Sequence, residues 1–477
     1  VIFEDDYGGS QVKKRTLPIL LACVCLLSVV LSACGVSEPT VKESSAPSKP
    51  ELTQDPVSIT LTERFVSDER TAILREIADK YEADHSNVTI EVQTLQTEEE
   101  IKAALKSGKA DIAELSDQTL FSYADEGLLM DISSDFKYWE ETYTLTAAAQ
   151  DVLGSYDYDA IYFVPHTLYQ LALCYRTDWL KAAGLFEHQL ATWEDLYSFA
   201  KQTMESGKSE YGLVMNFEDG IYHFADMLMW SYLGNWKMAA PYQAYYKIGN
   251  SSDTIFTMDE TKEGLEMFYK LMNGLVPPIR SGAPGFEAAE AFIEGLSPMI
   301  VADPSDIYKI EHNMSEELWA AIPLPTSKNS SQSFFSNCFD GWGLSATAKN
   351  RNWTADFLLY LSNSDNNTYF VKNNGGIPIH TDATEKDEFF IDTGLNVFMV
   401  LSKRPGTYQF ATPPKMYDAF EAYEQEVGGR YERYLSDALS ADELLFYLDG
   451  YWREAYETEG QRWPEIEIKT TSSVPKE

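Results

Sequence analysis

The sequence predicts an α/β fold on three observations. Strand-period and helix-period apolar patterns alternate from residue 57 onward, hydrophobic residues make up 44% of the chain, and 477 residues suffice for two or three domains or one large bilobed body. Val57, Ile59 and Leu61 alternate with Ser58, Thr60 and Thr62, the two-residue period of a strand. Ile73, Leu74, Ile77, Ala78 and Tyr81 then recur at helical spacing, and Val88, Ile90 and Val92 alternate again. Strand, helix and strand in so short a stretch predict a βαβ unit with parallel strands.

The next segments continue that alternation. A helix is expected over 98–106, a strand over 110–115, and a helix from about Gln118 that stops at Gly127, a suitable C-cap. From Trp179 to about Gly295 the pattern is mostly helical, with Thr192 as an N-cap and Asp195 at the third helical position. Ile322-Pro323-Leu324-Pro325 and the polar run 326–333 break the helices. A strand-like stretch over 341–346, a helix over 353–363 and a Tyr-rich helical region over 415–457 complete the pattern, without internal repeats.

The start of the chain reads differently. Lys13, Lys14 and Arg15 precede a mostly apolar run over 17–30, which ends in Leu31-Ser32-Ala33-Cys34. A charged start, a short apolar middle and a small-residue exit make a secretion signal, expected over 1–33. The last four residues resemble the bacterial lipobox, which implies a diacylglyceryl group on Cys34. The run 34–56, rich in Ser, Pro, Glu, Lys and Thr, cannot bury enough apolar surface to order itself, and reads as a tether reaching on the order of 25 Å.

Charge narrows the function classes. A formal net charge of -38 argues against nucleic acid, whose phosphates demand a basic face, and leaves neutral or cationic ligands. Once the signal is removed, Cys174 and Cys338 remain as buried thiols or as one pair. With 10 Trp, 29 Tyr and 24 Phe, the chain holds more aromatics than a core of this size needs, so some are expected on a binding surface.

Several stretches resemble the family 1 extracellular solute-binding proteins of bacterial ABC sugar importers, the maltose-binding-protein-like group. They are Gly108-Lys109-Ala110-Asp111-Ile112 (with Ala110 where proline is usual), Asp125 to Ile132, Pro165 with Leu173 to Arg176, Lys181 to Leu185, Ala191 to Leu196, Phe292 to Met299, and Gly376-Ile377-Pro378. Their shared order across roughly 57–460 carries the likeness. It implies a bilobed periplasmic-binding-protein-like fold (type II), two α/β lobes joined by a hinge with the ligand cleft between them. Lobe one would hold 57–165 and 326–377, and lobe two 166–325 and 378–477. The resemblance implies a monomeric protein that takes a small-molecule carbohydrate to ABC permease subunits, held at the outer face of the cytoplasmic membrane by its lipid alone.

A sugar needs carboxylates or amides for its hydroxyls and aromatic faces for its rings. Such groups belong at loop ends where strands finish. Phe65, Asp68 and Glu69 follow the first strand, with a solvated turn and a core Phe as the alternative. Asp117 and Gln118 match sugar-contacting positions of the family, and otherwise cap the next helix. Tyr169 matches a cleft position, with His166 beside it read as structural or exposed. Glu218, Asp219 and Tyr222 sit in the segment that supplies an acid and an aromatic in the family. Trp230 and Trp236 are split between cleft and core. Asp303 and Ser305 follow a strand, Asp340 and Trp342 flank Gly341 in a cluster that reads either as a site or as a turn with a packed Trp, and Tyr408 and Tyr417 are C-terminal candidates.

Catalytic signatures are sparse. Gly207-Lys208-Ser209 ends like a phosphate loop, but residue 202 is Gln, so the spacing fails. No Gly-x-Ser-x-Gly elbow occurs, and the six histidines are too scattered for a zinc motif. The reading is a binding protein with neither cofactor nor metal; the alternatives are a lipid-anchored glycan hydrolase and a binder of cations such as polyamines.

Overall fold

The computed structural model describes residues 51–64, 67–153, 160–216, 221–234, 245–246, 253–277, 287–329, 338–403 and 417–458. Two sheets organise them. The first has the order β2-β1-β3-β9-β4 and the second β6-β7-β5-β8. In the first, β1 (Val57–Glu63) runs parallel to β2 (Val88–Thr94) and β3 (Ile112–Ser116), while β9 (Cys338–Leu344) lies antiparallel between β3 and β4 (Phe163–Tyr169). In the second, β5 (Ala172–Arg176) is antiparallel to both β7 (Met299–Ala302) and β8 (Trp319–Pro323), and β6 (Val214–Met215) pairs parallel with β7.

Local chemistry accounts for the helices. Ser67 caps the helix Asp68–Asp84 by accepting from the Arg70 amide, and its buried face carries Arg70, Ile73, Leu74, Ile77, Ala78 and Tyr81. A reciprocal Thr97–Glu100 capping box opens the helix Glu98–Ser107, which ends on left-handed Gly108 at φ 67°. The Thr192 cap and Asp195 third position form the same box ahead of the helix Trp193–Glu205. Three strands escaped the sequence reading, β4, β5 and β8, and the last shows why. Ile322 and Pro323 read as a break, yet they finish β8; that strand is the sheet's edge, where a proline's missing N–H is tolerated.

Between the sheets the chain crosses at Gln170 and Leu171, so the first sheet runs past residue 165 as far as Tyr169. A second segment returns to the first sheet between β8 and β9. Ile377 pairs with Leu168 through two backbone bonds of 3.0 Å. Gly376 beside it sits at φ +98°, and a Cβ there would meet Thr167 Oγ1 at 1.9 Å, so only glycine fits.

The second lobe is mainly helical. Its central helix, Ile221–Leu233, is buried almost all round and packs on Asp259–Gly274. A Cβ on Gly264 would lie 2.5 Å from Met229 Cα, which fixes that close approach. The helices Tyr417–Leu435 and Ala441–Thr458 cover this pair. Among the described residues no helix is long and apolar enough to cross a membrane. Cys174 is a buried free thiol, and the side chain of Cys338 lies outside the described residues.

Asp226 ties the helical layers together. Its carboxylate accepts from Tyr245 Oη at 2.7 Å and from Tyr431 Oη at 3.4 Å. Burial pushes its pKa from 3.8 up to about 7, the two tyrosine bonds pulling the other way. The unfolded chain loses this proton near 3.8, while the folded chain keeps it to about 7. Stability from this group is therefore full below pH 4 and drains as pH rises towards 7. Asp226→Asn should flatten that decline, gaining on the order of 1–3 kcal/mol over wild type at pH 8 relative to pH 4 in denaturant titrations. An unchanged difference between the two pH values would show that the carboxyl is ionised throughout.

Candidate functional site

The strand order places one edge apart from the rest. From β1 the chain leaves to β2 on one side, then returns to β3 on the other. The crevice beyond the carboxyl ends of β1 and β3 is a topological switch point, where open α/β sheets hold ligands. Glu63 and Arg64 end β1, Ser116 and Asp117 follow β3, Tyr169 ends β4, and Asp340 lies opposite Ser116 in register.

Beneath this edge sits a dense buried charge network. Glu114, 0% exposed on β3, accepts from the Arg64 backbone amide at 3.0 Å and from His166 Nε2 at 2.9 Å, and is ion-paired with Arg70. Arg70 also pairs with buried Glu63 at 3.3 Å. Arg64 reaches outward to Glu98 at 3.1 Å and to Asp340 at 2.6 Å, and Tyr169 Oη donates to the other Asp340 oxygen at 3.2 Å. Burial opposes ionisation of Glu114, but the His166 bond and the Arg70 charge overcome it and hold the carboxyl at about 2. Burial dominates at Glu63 and Asp340 instead and raises both, against the pull of Arg70 on one and Arg64 on the other.

Asp340, Tyr169 and Asp117 thus come together at one edge, with Asp68 exposed in the first turn of the neighbouring helix. Ser116, rather than Asp117, holds the N-cap position, and Asp117 is the first helical residue. Gln118 is the second, its side chain outside the described residues. Gly341 lies within a strand instead of a turn. Asp340 and Trp342 therefore share one face of β9, and Trp342 sits one pleat deeper. It is 1% exposed and carries the ring of His166 at 4.7 Å, with Phe370 at 6.0 Å.

In the second lobe, Asp303 caps the helix Pro304–Asn313 by accepting from the Asp306 amide and from Ser305 Oγ, both at 2.8 Å. Burial, with Asp303 adding repulsion, pushes Asp306 up to about 7. Tyr222 is buried and donates to Glu424 at 2.5 Å, tying its helix to Tyr417–Leu435. Trp230 is buried in the same helix against Tyr245. Phe65, Glu218, Asp219, Trp236 and Tyr408 lie outside the described residues, as do Cys34 and everything up to Pro50; of Tyr417 only the backbone is described. Among the described residues no group of three or more His, Cys, Asp or Glu could hold a metal ion.

Sequence reasoning missed Arg64, Arg70 and Glu114. A signal existed: Glu114 interrupts an apolar strand between Ala113 and Leu115, and Arg70 falls on the apolar stripe of its helix. A charge at each buried position calls for a partner.

The profile of a family described as bacterial extracellular solute-binding protein matches residues 76–395. MalE, the sugar-binding protein of the phytopathogen Xanthomonas citri, superposes with a TM-score of 0.69 at 16% identity, over 85% of this chain and 98% of that one. Maltose-bound MalE3 of T. maritima gives 0.63 at 16% identity, over 83% and 98%. The substrate-binding protein Lmo0181 of Listeria monocytogenes, in complex with cycloalternan, gives 0.63 at 17%, over 85% and 99%. These likenesses establish a bilobed MalE-type fold. A search of curated proteins by sequence returned no match.

Glu114→Gln should destabilise the chain at pH 7 by about 1–3 kcal/mol, because it removes one of the two buried carboxylates that face Arg70 and leaves Glu63 alone opposite it. Since the folded carboxyl titrates at about 2 against an ordinary 4.5, its contribution is present above pH 4.5 and lost as pH falls towards 2. Variant and wild type should therefore converge in acid melts; a constant gap down to pH 2 would contradict the ion-pair account.

Proposed function

Because the chain belongs to the bacterial extracellular solute-binding proteins, we propose that it captures a mono- or oligosaccharide and delivers it to the permease of an ABC importer. In this reading Cys34 carries the lipid, 34–56 is the tether, and the two lobes float at the outer face of the cytoplasmic membrane. The observation that carries the proposal is the assembly of Asp340, Tyr169 and Asp117 at the switch-point edge of the first sheet, beside the crossing into the second. Carboxylates and a tyrosine there suit the hydroxyls and C–H faces of a sugar. The carbohydrates held by MalE3 and Lmo0181, on the same fold, support that ligand class.

Mechanistically, the protein is a two-state clamp. Ligand touches both lobes only when they close, so its differential affinity for the closed form drives closure. Asp340 and Tyr169 contribute from lobe one; Asp303, at the carboxyl end of β7, is the candidate from lobe two. The permease reads the closed form. Family and fold relatives are binding proteins, which favours release of an intact sugar over hydrolysis.

A calorimetric screen of neutral saccharides should identify a ligand that also shrinks the radius of gyration in small-angle scattering. Asp340→Asn should weaken it about tenfold or more, the scale of a lost charge-assisted hydrogen bond. Chromatography after incubation should return the sugar uncleaved. Absence of any saccharide ligand, or saturation without compaction, would remove the clamp.

A further inference from the structure

A second concave site lies away from the switch-point edge. A cavity of ≈ 360 Å³ opens between residues 135–141 and the helix Arg351–Leu361, with Leu52 on its wall. Its volume is in the range of small-molecule sites. Tyr138, Trp139 and Tyr360 line it, all half-buried, together with Glu140, Glu141 and Asp356. Asp356 accepts from Tyr81 Oη at 2.8 Å, near the last turn of the helix Asp68–Asp84. That helix begins beside Arg64, and at 1.5 Å per residue its length sets the two sites roughly 20 Å apart.

The walls are held in place before any ligand arrives. Arg351 clamps Asp135 with both terminal nitrogens, tying one wall to the other. Glu141 accepts from the Ser364 amide at 2.5 Å, and Thr142 Oγ1 donates to the Trp139 carbonyl at 2.8 Å. Trp139 packs against Phe136 at 5.2 Å and edge-on to His380 at 5.7 Å. Rings fixed this way lose little freedom on binding.

Charge decides the ligand class. No lysine or arginine is among the lining residues, and Arg351 is committed to Asp135. Burial raises the Glu141 carboxyl, and the nearby Asp365 and Asp382 raise it further against the Ser364 bond. Here the acids face an aromatic-walled concavity. Aromatic faces attract cations, and a neutral sugar would leave the local repulsion in place. We propose that this cavity binds a small organic cation through an ammonium group, as an accessory site independent of the saccharide cleft.

Titration calorimetry of the purified chain with choline chloride and with putrescine tests this, against sodium chloride at matched ionic strength. Saturable heat is expected for at least one amine and none for sodium. Trp139→Ala and Glu141→Gln should each weaken binding about tenfold or more, and Trp139→Phe should retain it, which keeps the test sound if the alanine variant misfolds. Flotation with phosphatidylcholine vesicles identifies the source: retention lost in Trp139→Ala assigns a lipid headgroup, and no retention assigns a dissolved amine. No amine heat above the sodium control, or equal heat in the Glu141→Gln variant, overturns the proposal. Because neither readout involves a saccharide, failure here leaves the clamp reading untouched, and the reverse holds.

Discussion

Burial of the Glu114 carboxylate is the constraint on which the switch-point edge depends. An ionised acid in an apolar interior costs several kcal/mol unless it is fully paired. Glu114 takes three donors from three parts of the chain: the Arg64 amide after β1, the Arg70 guanidinium in the following helix, and His166 on β4. Satisfying one buried charge therefore fixes where the loop after β1 begins. Arg64 then reaches Asp340, and Asp340 holds Tyr169 at the point where the chain leaves for the second lobe.

That linkage runs from core to hinge. Only Gln170 and Leu171 separate the last residue of β4 from the first of β5, so any closure must turn close to Tyr169. The backbone pairing of Leu168 with Ile377, made possible by Gly376, stiffens the lobe-one side of the crossing. A hinge that absorbs its change in a few residues lets two rigid lobes meet a ligand without remodelling either.

Much of the fold was legible because local and global signals agree. The alternation at Val57, Ile59 and Leu61, the stripe from Ile73 to Tyr81, and the Thr192–Asp195 cap each lead to the element found. Legibility failed where tertiary position overrides local preference. Pro323 reads as a breaker until β8 is known to be an edge strand. The strand-like stretch from Gly341 is found within β9, but the choice between a site and a turn at Asp340–Trp342 stays open until β9 is seen between two partners, and then Trp342 must point the same way as Asp340 but one pleat deeper. The ion network was hidden because its members are far apart in sequence, at 64, 70, 114, 166 and 340, and pairing across such gaps is a property of topology.

Engagement of Asp340 by Arg64 and Tyr169 does not close it to a ligand. A carboxylate offers about four lone-pair sites, and these two donors take one on each oxygen. What the donors remove is rotation. A carboxylate held from two directions meets a hydroxyl without first losing side-chain freedom, and that loss is a standing penalty on affinity. Arg64 is itself positioned by the backbone bond to Glu114, so the orientation of the outermost acid traces back to the innermost one. The same logic explains why a charged layer sits where apolar packing would be simpler: an apolar core would support the edge, but it would not dictate which way its carboxylate points.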